Sequence, residues 1–192
     1  MGAAYFPKEA AKLARGRRSL RRPQSYVHGG RFLDAGCNGG FVVEAAREAG
    51  FKAVGVELDA AAVAWPREHY PANTYFVEAL ESFAEVSDHV EAFDVLYCSE
   101  MIEHAPDANR FAASLASLLR PRGVLYLTTP DVSHWRRPRD LAQCDAYTPP
   151  EHCLYFTSLS LARLLDRHGL GGARRRIAWK PGIKVLARKI AT

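Results

Sequence analysis

Short apolar runs alternating with longer amphipathic stretches are what most constrain this chain. Strands that alternate with helices build a mostly parallel sheet covered on both faces, which is an α/β fold. The runs are RFLDAG at 31–36, KAVGVEL at 52–58, NTYFVEA at 73–79, FDVLYCSE at 93–100 and GVLYLTTP at 123–130. After the first run, Val42, Ala45 and Ala46 recur at helical spacing up to Gly50. Asp59 is placed to cap a second helix, which Pro66 must kink or shorten, and Asn109, Phe111, Leu115 and Leu119 mark a third that ends before Pro121. A last helix is expected from about Ser158 to His168, stopped by Gly169. RIAW and IKVLA flank the turn Lys180-Pro181-Gly182 and predict a closing antiparallel hairpin. Residues 131–150 hold three prolines and no clear period, so they read as a loop or lid of the kind that carries substrate contacts.

Composition narrows the class. A chain of 192 residues, 48% hydrophobic and 24% charged, can bury one core, which argues against a disordered, collagenous or disulfide-stapled chain. No apolar run is long enough to span a bilayer, and Lys8, Lys12, Arg15, Arg17 and Arg18 interrupt any leader-like stretch, so a cytoplasmic location is expected. Cys37, Cys98, Cys144 and Cys153 show no C-x-x-C spacing and read as reduced thiols. The net charge of +5 hides a segregation: residues 1–31 carry +7, residues 162–192 carry +8, and the middle carries −10. Residues 1–30 read as a basic extension, with residues 31–192 as the domain proper. If both basic ends lie on one face, that face attracts phosphates, nucleic acid or an anionic membrane. Simple solvation of the termini is the ordinary alternative, and nucleic acid is not the favoured partner.

In an open parallel sheet, ligands bind beyond the carboxyl ends of the strands, where the strand order reverses. The turn Asp34-Ala35-Gly36-Cys37-Asn38-Gly39-Gly40 has little side-chain bulk, so a ligand can lie on the backbone amides there. Glu57, at the end of the next run, is placed to accept hydrogen bonds from both hydroxyls of a ribose. Two nucleoside ligands suit this arrangement, a dinucleotide and S-adenosylmethionine. The glycine spacing departs from G-x-G-x-x-G, and Asp34 repels a pyrophosphate while attracting a sulfonium and an ammonium.

Together LDAGCNGG, VGVEL, FDVLYCSEMIEH, LRPRGVLYLTTP and EHCLYFT resemble the class I S-adenosylmethionine-dependent methyltransferases over nearly the whole chain. The resemblance implies a Rossmann-like, doubly wound, mostly parallel seven-stranded sheet with an antiparallel C-terminal hairpin. It also implies S-adenosylmethionine as cofactor and methyl transfer to a small-molecule acceptor, at oxygen. By resemblance, Asp34, Gly36 and the backbone of Cys37, Asn38 and Gly39 hold the amino-acid end of the cofactor. Glu57 holds the ribose, Leu58 and Ala79 the adenine faces, and Ser99 and Glu100 face the aminoacyl tail and the methyl group. Three positions depart from the family pattern. Asn38 replaces a glycine but tolerates positive φ, Arg122 stands where many relatives have Gly, and Glu78 lies one step from the acid that contacts the adenine amino group.

An oxygen acceptor must lose a proton, and His104 and His152 are the candidate bases. Glu100, Glu103 and His104 are three and four residues apart, so a helical turn would gather them on one side, with His152 completing a set. That pattern resembles the metal site of small-RNA 2′-O-methyltransferases and is shared in part by the ubiquinone-biosynthesis O-methyltransferases. It also occurs in metal-free relatives, so metal binding stays open. Metal-assisted methylation of an RNA ribose and a non-catalytic S-adenosylmethionine-binding module are the alternative functions. His28, His69, His89, His134 and His168 read as turn or helix-end residues, and Trp135 and Tyr147 either wall an acceptor pocket or pack the lid. With little chain before the first strand to cover the acceptor, the site is expected to be open or completed by a partner subunit in a homo-oligomer.

Overall fold

The computed structural model describes residues 8–140, 143–144, 147–175 and 181–191. Seven strands form one sheet in the order β3-β2-β1-β4-β5-β7-β6. They are β1 Gly30–Ala35, β2 Phe51–Glu57, β3 Thr74–Val77, β4 Phe93–Ser99, β5 Leu119–Thr129, β6 Leu170–Arg175 and β7 Ile183–Lys189. The first five are parallel, and β7 runs antiparallel to both β5 and β6. The sheet is therefore the mostly parallel one expected, with its antiparallel C-terminal pair. The order reverses between β1 and β4, so the crevice of the fold opens over the ends of those two strands.

The two-residue period of the strands sorts the core into two layers. Phe32, Val95, Tyr97 and Tyr126 face α1 (Glu9–Gln24) and α2 (Phe41–Glu48), where Leu20 and Val43 meet them. Leu33, Leu96, Leu125 and Leu127 face the other side, against α4 (Leu80–Glu85), α5 (Ala108–Leu118) and α6 (Ser158–Arg167), which supply Phe83, Leu115 and Leu161. Between β2 and β3, α3 (Ala60–His69) starts at the expected cap, the Asp59 carboxylate accepting from the Ala61 amide at 2.8 Å. Pro66 lies inside it, and the helix ends within a turn of it.

Residues 9–24, inside the stretch read as a basic extension, form α1. Its Leu13, Gly16, Leu20 and Pro23 recur every three or four residues and turn inward. A Cβ on Gly16 would lie 3.1 Å from the Phe41 carbonyl oxygen and 3.3 Å from the Ala45 Cβ, so glycine sets how closely α1 approaches α2. Arg17 pairs with Glu48 through two hydrogen bonds of 2.7 and 2.8 Å, and the Tyr70 hydroxyl donates to Glu9 at 2.7 Å.

Among the described residues one boundary differs from the sequence reading. β5 begins at Leu119, before Pro121. The register shifts between Phe93↔Leu119 and Val95↔Val124, and that irregularity, with Arg122 at φ 66°, admits the proline into the strand. β6 is built from residues 170–175, and RIAW, at residues 176–179, lies outside the described residues. The loop after β5 is tied down by a bridge from Asp131 to Phe156. Among the described residues no helix is long and apolar enough to cross a membrane.

Candidate active site

Two clefts meet at Gly36. The smaller, of about 280 Å³, lies between α1 and the ends of β1 and β4, lined by Lys12, Arg15, Ser19, Asp34, Tyr97 and Ser99. The larger, of about 560 Å³, lies over the ends of β2 and β3, lined by Glu57, Leu58, Glu78, Ala79, Met101 and His104. Gly36, which lines both clefts, has φ 77°, and a Cβ there would collide with the Met101 side chain, so glycine suits both the backbone and the close approach. Asn38 takes φ 44° as its residue type allows, with its side-chain oxygen accepting from the Gly39 amide at 2.7 Å.

The carboxylate of Glu57 organises the rim. One oxygen accepts from the amides of Leu58 and Asp59 at 2.8 and 3.1 Å, and the other accepts from the Asn38 amide at 3.0 Å. A carboxylate has about four lone-pair sites, so acceptor capacity remains for a ligand hydroxyl. Beside it, Leu58 is 71% exposed, an apolar side chain at the cleft edge positioned to cover a flat ring. Glu78 lines the same cleft, and its amide donates to the Glu57 carbonyl at 3.1 Å.

Asp34 is only 3% exposed, and burial, seconded by the nearby Glu57, holds its carboxyl well above the usual carboxylate range. A cationic ligand group placed in the smaller cleft reverses that balance, because it lowers the energy of the ionised form. Burial, then Asp34 and Glu57, pushes the Cys37 thiol up, so Cys37 remains a neutral thiol packed under Gly55. Tyr97 stacks on Tyr126 with ring centroids 5.1 Å apart, and burial pushes its phenol up to about 12, leaving it protonated at neutral pH. At the end of β4, Thr128 donates to Glu100 at 2.7 Å, so the Ser99 hydroxyl is the donor in its own 2.7 Å bond to Thr128.

Glu100 consequently does not join the cluster its spacing suggested. Its φ of 54° breaks any helical turn, residues 102–104 form a separate 3-10 turn, and its carboxylate is held by Thr128. Glu103, His104 and His152 do come together, each offering a ligand atom within 4.8 Å of the others. The two imidazoles meet edge to face at 4.7 Å. The Nδ1 of His104 lies 2.7 Å from the Glu151 carbonyl oxygen, which can only accept, so Nδ1 carries a hydrogen and the lone pair of the neutral ring is on Nε2. Glu103 is buried, accepts from the Thr129 hydroxyl at 2.9 Å through one oxygen, and has no hydrogen-bond partner on the other among the described residues. Burial above all pushes its carboxyl up to about 7.

Of the residues read from the sequence, Asp34, Gly36, Cys37, Asn38 and Ser99 line the smaller cleft, and Glu57, Leu58, Ala79 and His104 line the larger. Lys12, Arg15, Ser19, Tyr97 and Met101 were not among them. For Tyr97 a signal existed, since strand alternation puts it on the same face as Ser99. Trp135 is 73% exposed and lies outside both clefts, while Tyr147 rests against Tyr155 at 4.8 Å.

A seven-stranded sheet whose order reverses between β1 and β4, with two clefts over the strand ends there, is the frame of the class I S-adenosylmethionine-dependent methyltransferases. Residues 8–172 match the model of the family described as Methyltransferase domain, and the chain belongs to that family. S-adenosylmethionine is its cofactor. The chain is 35% identical over 116 residues to the ubiquinone biosynthesis O-methyltransferase of Actinobacillus pleuropneumoniae, covering 57% of this chain and 50% of that relative. It thus spans about half the length of the curated relatives it matches. Two solved structures share the fold. A methyltransferase from Archaeoglobus fulgidus superposes with a TM-score of 0.76 at 15% identity, covering 98% of this chain and 100% of that one. The 1,6-didemethyltoxoflavin-N1-methyltransferase of Burkholderia thailandensis, solved with bound 1,6-didemethyltoxoflavin and S-adenosylhomocysteine, superposes at 0.68 with 19% identity, covering 98% of this chain and 82% of that one.

Proposed function

We propose that this chain methylates an oxygen atom of a small-molecule acceptor. Its residues fit the cofactor along the line of the two clefts: adenine against Leu58 and Ala79, ribose hydroxyls on Glu57, and the amino-acid end over Gly36 beside Asp34 and Ser99. The cations of Lys12 and Arg15 sit where a carboxylate tail would reach. Bound there, the cofactor supplies a methyl carbon activated by positively charged sulfur. The protein's part is to hold the acceptor in line, exclude water and take a proton from the acceptor oxygen.

The observation that carries this reading is the Nε2 lone pair of His104, fixed by the Glu151 carbonyl, on the wall of the larger cleft. His152 lies edge-on to it, with the ring centroids 4.7 Å apart, and walls the same side of the site. The oxygen-methylating names of the curated relatives support the same acceptor class. A panel of phenols, carboxylates and amines assayed for S-adenosylhomocysteine release tests it. Turnover of a hydroxyl-bearing acceptor that falls roughly 100-fold in His104→Ala is expected. Turnover of amines alone, or a His104→Ala variant as active as the parent, refutes it.

A second reading rests on the unpartnered buried oxygen of Glu103. With His104 and His152 it makes a carboxylate and two-imidazole donor set that suits manganese, iron, cobalt or zinc better than magnesium. These three residues would hold the cation, which would supply Lewis-acid polarisation of the acceptor oxygen. Metal titration by calorimetry separates the readings: tight binding that vanishes in Glu103→Gln supports the second, and no binding removes it.

A further inference from the structure

The two basic ends of the chain meet on one face of the sheet. Register places Lys184 opposite Thr128 and Arg188 opposite Val124, so both project to the side on which Tyr126 packs with Leu20 of α1. At the far end of this face the Arg188 guanidinium lies 5.2 Å from the Tyr26 ring, just past the end of α1. On α1 itself, Arg15, Arg18 and Arg22 follow one another at three- and four-residue steps, about 4.5 and about 6 Å apart along the axis. Two basic rails thus run side by side, one from Arg15 at the smaller cleft along α1 towards Tyr26, the other from Lys184 opposite Thr128 to Arg188.

None of these five cations takes part in an ion pair among the described residues. The acids on or beside α1 are committed elsewhere, Glu9 to Tyr70 and Glu48 to Arg17. The acidic middle of the chain lines the other flank, with Glu57, Glu78 and Glu81 around the larger cleft. The field of the molecule is therefore divided, and the basic face is left for an external polyanion.

We propose that this face binds single-stranded nucleic acid, its phosphates tracking the two rails. Guanidinium groups dominate the face, and they match phosphate oxygens in pairs. Tyr26, 39% exposed among them, offers an aromatic surface for a base. An anionic membrane fits less well. The apolar residues of α1, Leu13, Leu20 and Pro23, are spent on the core, so the helix has no face to insert between lipids. The proposal is independent of the acceptor at the cleft, and its failure leaves the methyl-transfer reading untouched.

The test is fluorescence anisotropy of a labelled single-stranded RNA oligonucleotide with the full chain, alongside sedimentation with phosphatidylglycerol-containing vesicles. About four neutralised phosphates give a logarithmic salt slope near −3 and an affinity loss of roughly 60-fold between about 50 and about 200 mM salt. Arg18→Glu combined with Arg188→Glu, both outside the clefts, is expected to weaken RNA binding at least tenfold. Its calorimetric affinity for S-adenosylmethionine should match the parent, which certifies the fold. No anisotropy change at low salt, equal binding by the double variant, or binding to vesicles without binding to RNA overturns the proposal.

Discussion

Replacing Asp34 by Asn pits stability against cofactor binding in one substitution. The carboxyl is 3% exposed and titrates above its ordinary range, first through burial and then through Glu57. For such a group the folded form prefers the neutral acid. Its contribution to stability is fully present below the unfolded carboxyl range and is lost as pH rises toward the elevated folded value. Asn keeps the shape and removes the charge, so the variant without cofactor should be at least as stable as the parent at neutral pH, with a flatter dependence of stability on pH. Cofactor binding moves the other way. A cation about 4 Å from the carboxylate contributes about 4 kcal/mol at an effective dielectric near 20, and screening through the open side of the cleft leaves about 2 to 3 kcal/mol. Asp34→Asn should therefore weaken S-adenosylmethionine by roughly 30- to 150-fold. In the parent, affinity should rise with pH through the titration of Asp34, because the ligand selects the ionised form. Calorimetric titration and thermal melts over acidic to neutral pH measure both effects. Affinity within threefold of the parent, or an Asn variant that melts well below it at neutral pH, would refute the reasoning.

Three further substitutions test the frame around that group. Gly36→Ala combines a left-handed backbone with a collision against Met101, which costs about 1 to 3 kcal/mol and should lower the melting temperature by about 3 to 10 °C while weakening the cofactor. Glu57→Gln turns an amide NH2 toward at least one of the Asn38, Leu58 and Asp59 amides, so a loss of about 1 to 3 kcal/mol in cofactor affinity is expected by calorimetry. Leu20→Ala removes the buried side chain that seats α1, costing about 2 to 5 kcal/mol in urea unfolding. If α1 is a wall of the smaller cleft, that variant also binds S-adenosylmethionine less tightly; unchanged affinity would place the helix outside the site.

What could be read from the sequence was local. The cradle is a contiguous turn, Asp34 to Gly40, and its partner Glu57 closes the next strand, so one parallel strand pair is enough to bring them together. The central strands were legible because an apolar run buried on both faces, as in β4, stands out from the amphipathic helices around it. α1 was not, because seven arginines and lysines among residues 8–22 mask the inward spacing of Leu13, Gly16 and Leu20. Its cleft residues Lys12, Arg15 and Ser19 depend on tertiary docking that no short window encodes. Pro121 read as a stop for a helix, which it is, but the strand starts before it through a register shift that only the pairing partner reveals. Spacing alone grouped Glu100 with Glu103 and His104. A positive φ and the Thr128 hydroxyl took it away, whereas His152, separated from His104 by almost fifty residues, was brought in by the loop after β5.

A crystal structure with S-adenosylhomocysteine bound tests the central claim most directly, namely that one extended nucleoside lies across both clefts over Gly36. Ribose hydroxyls on Glu57, the adenine between Leu58 and Ala79, and the amino group within reach of Asp34 are the expected result. Adenosine density away from Glu57, or a tail that leaves the smaller cleft empty, would contradict it.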